Sequence, residues 1–287
     1  MEFENEEKLK SFLKKESERL GISIRNTYNT YFSRLLLERI SKFCYDKLYV
    51  KGSMSELAHL NQMIRPITDL DLVSTEYHND PLLILYRAMY DTNEKISFEL
   101  ATQPKQTKTG IYKIQIVANF GKIKHPLSID FQELSKTIYE KDYKKIDAIF
   151  KGDNHFYIYT PSFEEHFAEK LCIVVESNKE ELLNTRVKDF YDIYKLVNAK
   201  YDPDRLSYFF YHMLIDRNKI NISDASVNFL NKEYIKKHQQ LWNNMSDKYE
   251  FLDKGVNFDE AVYVTEEILN KEIDNFEKTK TYKIKLR

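Results

Sequence analysis

A glycine–serine turn followed by two closely spaced aspartates constrains the fold more than any other feature of the chain. A strand-like stretch leads into Gly52 and Ser53, a helix-like stretch follows over residues 55–63, and a second strand-like stretch then carries Asp69 and Asp71. Alternate side chains of a strand share one face, so the two carboxylates would project together while the leucines beside them pack behind the sheet. The order of these segments predicts a strand–turn–helix–strand unit.

The residue types in this unit favour one kind of chemistry. A glycine lets the backbone approach a phosphate and present its N–H, and a following serine adds a hydroxyl donor. Neighbouring carboxylates share divalent cations such as Mg²⁺, which also bind phosphate oxygens. An isolated pair of aspartates at this spacing often arises by chance. Because the chain has only six glycines, the position of Gly52 makes a metal-dependent nucleotide site the sharper interpretation.

A third acidic residue occurs on a later predicted strand. Over residues 127–132 the apolar side chains alternate, which places Asp130 on the opposite, polar face. The preceding run 111–118 reads as its hairpin partner, with residues 119–122 as the connection. A solvated surface residue is the alternative interpretation of Asp130.

Charged residues interrupt the apolar faces of two predicted helices. Lys170 lies at the edge of an apolar arc, so either its ammonium reaches solvent or it meets an anion. On the second helix Arg186 and Asp189 fall among apolar residues, and Asp192 lies at the margin of the same face. An ion pair between Arg186 and Asp189 is the structural interpretation of that pattern.

Four motifs in this order resemble the AbiEii/AbiGii family within the nucleotidyltransferase superfamily. The resemblance covers roughly residues 45–200. The motifs are Gly52-Ser53, Asp69-Leu70-Asp71, Ala168-Glu169-Lys170-Leu171 and Arg186-Val187-Lys188-Asp189-Phe190-Tyr191-Asp192.

The resemblance implies transfer of a nucleoside monophosphate from an NTP to an acceptor hydroxyl, with Mg²⁺ or Mn²⁺ as the cofactor. It implies a tRNA 3′ end or another RNA as the acceptor, a toxin role and a cognate antitoxin as partner. Alternatives are a small-molecule nucleotidyltransferase, like those that modify aminoglycosides, and a non-catalytic NTP- or GTP-binding module. The implied residues are Asp69, Asp71 and Asp130 for metal and catalysis, Lys170 and Asp192 for catalysis, and Gly52, Ser53, Lys170 and Arg186 for the nucleotide. Arg65, directly before the D-x-D strand, is a weaker candidate for a contact with the triphosphate.

Length and periodicity predict an α+β protein with two lobes. The 287 residues divide into an α/β nucleotidyltransferase lobe over 1–160, with a mixed sheet flanked by helices, and a helical lobe over 161–287 that contributes Lys170 and Asp192. The active site is expected in the cleft between the lobes. An acidic N-terminus without signal-peptide character and the absence of a run near the ~20 apolar residues of a membrane span predict a cytoplasmic protein without membrane contact.

Because the net charge is close to zero, a polynucleotide could be bound only by local basic patches. Lys and Arg total 44 and Asp and Glu total 45, so the whole chain carries no basic field. Candidate patches are residues 141–145, residues 105–108 and the basic tail 278–287, although such runs commonly serve solubility. Tyr139 and Tyr143 are candidates for stacking on bases if a basic groove lies beside them.

Overall fold

The computed structural model divides the chain into two compact units. The first comprises Met1–Lys136 and Lys141–Pro161, and the second comprises Thr137–Glu140 and Ser162–Arg287. The residues that the structure describes are 2–44, 48–74, 82–90, 95–132, 140–179, 186–217, 229 and 231–275.

The first unit is built on a mixed eight-stranded sheet. Its strands are β1 Leu48–Lys51, β2 Leu70–Ser74, β3 Ser97–Leu100, β4 Lys105–Gln106, β5 Ile111–Phe120, β6 Ile123–Gln132, β7 Lys141–Ile146 and β8 Phe156–Pro161. The strand order is β3-β5-β6-β2-β1-β8-β7, and β4 pairs with β5. Two pairs, β2 with β6 and β1 with β8, are parallel, and the other pairs are antiparallel.

One face of this sheet packs on helices to form the core. The alternating residues Leu70, Leu72, Ile129 and Phe131 are at most 1% exposed, as the period-two pattern predicts. They form one apolar cluster with residues of the first helices, including Phe32. The helices of this unit are α1 Glu6–Leu20, α2 Ile24–Cys44, α3 Gly52–Leu60 and α4 Leu82–Met89.

The second unit is helical. Its elements are α5 Phe163–Lys179, α6 Lys188–Leu196, α7 Pro203–His212, a π-helical turn Met213–Arg217, α8 Lys232–Tyr249 and α9 Phe258–Asp274. Side-chain caps begin three of these helices, because Asp202, Asn231 and Asn257 each accept a backbone N–H of the first turn. Among the helices that the structure describes, none is long and apolar enough to cross a membrane.

Three details differ from the sequence predictions or lie beyond them. The hairpin connection is shorter than predicted, because β5 continues through Phe120 and only Gly121 and Lys122 separate it from β6. The helical lobe predicted over 161–287 includes a π-helical turn, because α7 changes to π geometry at Met213. The basic tail 278–287 and Tyr139 lie outside the described residues.

Candidate active site

The glycine–serine turn lies directly against the D-x-D strand. The chain leaves β1 at Lys51 and enters α3 at Gly52, whose φ is 60°. This left-handed conformation favours glycine. A Cβ added at Gly52 would overlap the Asp71 carboxylate, so a side chain here would have to displace it. Because Gly52 has no side chain, the turn can lie in direct contact with the Asp71 carboxylate.

Four charged residues form a row across neighbouring strands. In register, Lys113 of β5 lies opposite Asp130 of β6, Asp130 opposite Asp71 of β2, and Asp71 opposite Lys51 of β1. Residues in register share a face of the sheet, and neighbouring strands are ~4.8 Å apart. The two aspartates are thus adjacent, with a lysine on each outer side. We call the face that carries this row the carboxylate face.

Asp69 immediately precedes β2 and is half-buried. It is two residues from Asp71, and its Oδ1 accepts the Thr68 hydroxyl at 3.1 Å. Asp69 lies in a bend outside β2, so the alternation of the strand does not fix the side of its carboxylate. The register places Asp71 and Asp130 side by side, and the position of Asp69 beside them stays a prediction.

Asp130 already has a partner in this structure. The Lys113 ammonium donates to its carboxylate across the β5–β6 pair. The lysine side chain is 50% exposed and that of Asp130 is 24% exposed, and ion pairs of this exposure contribute about 0–1 kcal/mol. Competing cations can therefore displace Lys113 at low cost.

The donor chemistry fits a hard divalent cation, but the described residues do not form a complete metal cage. Within the described ranges, no group of three His, Cys, Asp or Glu side chains is arranged to hold a metal ion. Carboxylate oxygens are the ligands that Mg²⁺ uses in proteins, together with water and substrate phosphates. The roles of Asp69, Asp71 and Asp130 as metal ligands stay predictions.

Arg65 and Ser53, two residues predicted to contact the nucleotide, are both buried in this structure. Arg65 is 3% exposed, and its Nη2 lies 3.7 Å from Oε2 of the buried Glu56. This ion pair connects α3 to the segment before β2. Ser53 is 7% exposed in the first turn of α3. The nucleotide contacts of Arg65 and Ser53 stay predictions.

In the helical unit, the charged residues on the predicted apolar faces form one cluster, which is buried except for the exposed Arg186. The Lys170 ammonium of α5 donates to Asp189 at 3.0 Å and to Asp192 at 2.7 Å, both on α6. Arg186 Nε donates to Asp189 at 2.7 Å, which confirms the predicted i, i+3 pair. Both aspartate side chains are fully buried. Lys170 therefore meets anions rather than solvent.

The electrostatics of this cluster favour the charged forms. Burial opposes ionisation of Asp189, but the neighbouring Lys170 and Arg186 outweigh it and hold the pKa of this carboxyl below its usual range. Asp192 accepts a hydrogen bond from Lys170, the contact expected of a residue that positions this lysine. The catalytic roles of Lys170 and Asp192 and the nucleotide role of Arg186 stay predictions.

Two site residues were missed by the sequence interpretation. Lys113 pairs with Asp130 only because a two-residue turn at Gly121 and Lys122 fixes the hairpin register. Had that turn been placed at these two residues, counting back from it would have identified Lys113. Lys51 directly precedes Gly52, and its position opposite Asp71 depends on the pairing of β1 with β2.

A mixed sheet that holds a glycine–serine turn against a D-x-D strand, with a third carboxylate on a neighbouring strand, is the arrangement of a nucleotidyltransferase fold. The family described as "Nucleotidyl transferase AbiEii toxin, Type IV TA system" matches residues 34–263. The chain belongs to this family, which makes it a nucleotidyltransferase toxin of the type IV toxin–antitoxin class, with an NTP substrate and an antitoxin partner implied by membership.

One solved structure supports the fold. The crystal structure of JHP933 from Helicobacter pylori aligns over 90% of this chain and 96% of its own, with a TM-score of 0.51 and 12% identity. A second H. pylori protein, described as a candidate nucleotidyltransferase, aligns over 88% of this chain and 98% of its own, with a TM-score of 0.44 and 13% identity. A comparison with curated proteins found no match.

Proposed function

We propose that the protein transfers a nucleoside monophosphate from an NTP to the 3′ hydroxyl of tRNA in a Mg²⁺-dependent reaction. The observation that carries the proposal is the contact between Gly52 and Asp71, with Asp130 in register beside Asp71. A phosphate at the turn would then lie next to the carboxylates. The helix that begins at Gly52 adds backbone N–H groups and the positive end of its dipole to that position.

The proposed roles follow from these positions. Asp69 and Asp71 would hold Mg²⁺, with Asp130 completing the set when Lys113 is displaced. When bound, the ion would neutralise phosphate charge and align the triphosphate. Gly52 and Ser53 would hold the β and γ phosphates, and Arg65 and Arg186 would contribute positive charge to nucleotide binding.

In the chemical step, the acceptor oxygen would form a bond to the α-phosphorus while the bond from that phosphorus to the bridging oxygen breaks and pyrophosphate leaves. Asp130 would orient the attacking hydroxyl and accept its proton. The proposal assigns Lys170 to neutralising charge that develops on the phosphate, and Asp192 to positioning Lys170. No observation on the described residues favours a small-molecule acceptor over RNA.

A labelling assay tests this function. Purified protein is incubated with total tRNA, Mg²⁺ and each α-labelled NTP in turn, and the RNA is resolved on a denaturing gel. We expect label on tRNA with one NTP, at least about 100-fold less with Asp69→Ala or Asp71→Asn, and no loss with Glu99→Gln. Glu99 is an exposed acid on β3 of the same sheet.

Two outcomes of the labelling assay would contradict the proposed function. Label that persists in both aspartate variants would place the chemistry elsewhere. If tRNA stays unlabelled with every NTP while the protein still binds nucleotide, the tRNA acceptor is wrong.

A further inference from the structure

A group of tyrosine rings lies at the edge of the sheet. The Tyr143 ring of β7 stacks on Tyr157 of β8, with centroids 5.3 Å apart and planes 21° apart. It also contacts Tyr159, with centroids 4.9 Å apart, and Tyr159 lies 6.1 Å from Tyr49 of β1. We call Tyr49, Tyr143, Tyr157 and Tyr159 the tyrosine ladder.

The outer rings of the ladder are exposed, unlike most aromatic residues of this unit. Tyr143 is 53% exposed and Tyr157 is 42% exposed, whereas Tyr49 is 9% exposed. Cross-strand aromatic pairs stabilise sheets by burying ring surface against each other and the core. That role does not account for two adjacent rings with open surface on an edge hairpin. Exposed apolar surface of this kind commonly marks a binding site.

The ladder lies on the carboxylate face of the sheet. Tyr143 is in register with Tyr159, and Tyr159 with Tyr49, so these three rings share a face. Tyr49 is two residues from Lys51, which lies opposite Asp71. The strands β7, β8, β1 and β2 are neighbours, so three strand spacings, roughly 14 Å, separate Tyr143 from the strand of Asp71. A ligand extended across the sheet could contact the ladder and the carboxylates together.

The charges beside the ladder are mixed. Lys141 places its ammonium 5.1 Å from the centre of the Tyr159 ring, in cation–π geometry. Lys145 pairs with Asp147 at 2.6 Å, whereas Lys144 and Asp142 lie on the opposite face of β7. On the side of the ladder, two lysines against one aspartate leave a small positive excess. A ligand held here would depend mainly on stacking and only weakly on salt.

These features together match single-stranded polynucleotide. Every base has an aromatic face, so a row of rings binds single strands with little sequence preference, and a lysine beside the row contacts the backbone. A duplex presents its bases only at its ends and would bind such a row poorly. We propose that the tyrosine ladder binds the unpaired end of the acceptor RNA by base stacking. The ladder would thereby direct the terminal hydroxyl of that RNA towards the aspartates of the carboxylate face. This inference rests on the proposed function and names the acceptor as a single-stranded RNA end.

Direct binding measurements test the ladder without any need for transfer. The probe is a fluorescein-labelled single-stranded RNA of roughly 10 nucleotides, followed by fluorescence anisotropy, with a duplex of the same sequence for comparison. The variants are Tyr143→Ala, Tyr157→Ala, their combination and Tyr143→Phe. The control is Tyr90→Ala, because Tyr90 is 59% exposed in the same unit and also contacts a second ring, that of Tyr86, at 5.6 Å.

We expect each alanine variant of the ladder to bind the single strand about ten-fold more weakly, and the double variant more weakly still. Tyr143→Phe keeps the ring and should bind like the parent, as should Tyr90→Ala. Thermal unfolding of each variant separates loss of binding from loss of fold. Equal affinity of the alanine variants and the control, or equal binding of single strand and duplex, would overturn the proposal.

Two further outcomes keep this proposal separate from the proposed function. If the ladder variants lose single-strand binding but the parent labels no RNA with any NTP, the ladder stands and the transfer reaction fails. If the parent labels RNA and the ladder variants label it with unchanged KM for RNA, transfer stands and the ladder proposal fails.

Discussion

At the residue scale, Gly52 has the most sharply defined role. Its positive φ and its contact with the Asp71 carboxylate are separate properties, because a side chain would strain the backbone and would also displace that carboxylate. The turn at Gly52 was predictable from the sequence pattern alone, which indicates a turn that approaches phosphate. The contact with Asp71 was not predictable, because it depends on how β1 and β2 pair.

Substituting Gly52 by alanine should abolish transfer while the protein still folds. The new methyl group would displace the Asp71 carboxylate, and the left-handed backbone would cost about 1–2 kcal/mol. The control is Gly110→Ala, because Gly110 has a φ of 84° but open space around the added Cβ. Both variants should lose similar stability in chemical unfolding, and only Gly52→Ala should lose labelling activity. Equal activity of the two variants would contradict a role for the Gly52–Asp71 contact.

Lys113 should compete with the metal ion for Asp130. Replacing it by methionine frees the carboxylate, so we expect half-maximal transfer at up to about five-fold lower Mg²⁺, with little change in stability. Lys124→Met is the matched control, because Lys124 is an exposed lysine on β6, six residues from Asp130. The measurement is the Mg²⁺ dependence of initial rates. A higher Mg²⁺ requirement in Lys113→Met would instead assign Lys113 to phosphate binding.

At the element scale, the pairing of elements decides what the sequence could reveal. The alternation in β5 and β6 was visible, and so were the charged positions of α5 and α6. The contacts between Lys170, Asp189 and Asp192 needed the packing of α5 on α6, which a periodicity cannot specify. The edge strand β7 was not predicted, because a run of lysines is typical of a solvated surface. In the structure, every second residue of β7 faces one side of the sheet.

The α5–α6 charge cluster should make the helical unit sensitive to acid. The pKa of Asp189 is lower in the folded than in the unfolded state, where it is ~3.9. Its stabilising contribution is therefore fully present above about pH 4 and is lost as the pH falls further towards the folded-state value. We expect helical circular dichroism in mild denaturant to fall below about pH 4.

Asp189→Asn tests the source of that acid sensitivity. The variant should be about 3–5 kcal/mol less stable at pH 7, because Lys170 and Arg186 lose a buried partner, and its stability should vary less with pH below 4. Asp247→Asn, an exposed substitution on α8, should retain the parent profile. An unchanged pH profile in Asp189→Asn would assign the acid sensitivity to other carboxyl groups.

At the scale of the whole molecule, the chain combines a sheet unit and a helical unit within one family. The α+β class, the mixed sheet and the nucleotidyltransferase family were predictable from ordered motifs. The pairing of Asp130 with Lys113 and the alignment of the tyrosine ladder with Asp71 arise from strand order and register. These properties depend on contacts between residues far apart in sequence, so local patterns alone could not supply them.

The most direct test of the central claim is a crystal structure with Mg²⁺ and a non-hydrolysable NTP. We predict an ion bound by Asp69 and Asp71, the β and γ phosphates at Gly52 and Ser53, and the Lys113 ammonium displaced from Asp130. A nucleotide bound away from the Gly52 turn, with no ion at Asp69 and Asp71, would contradict the account.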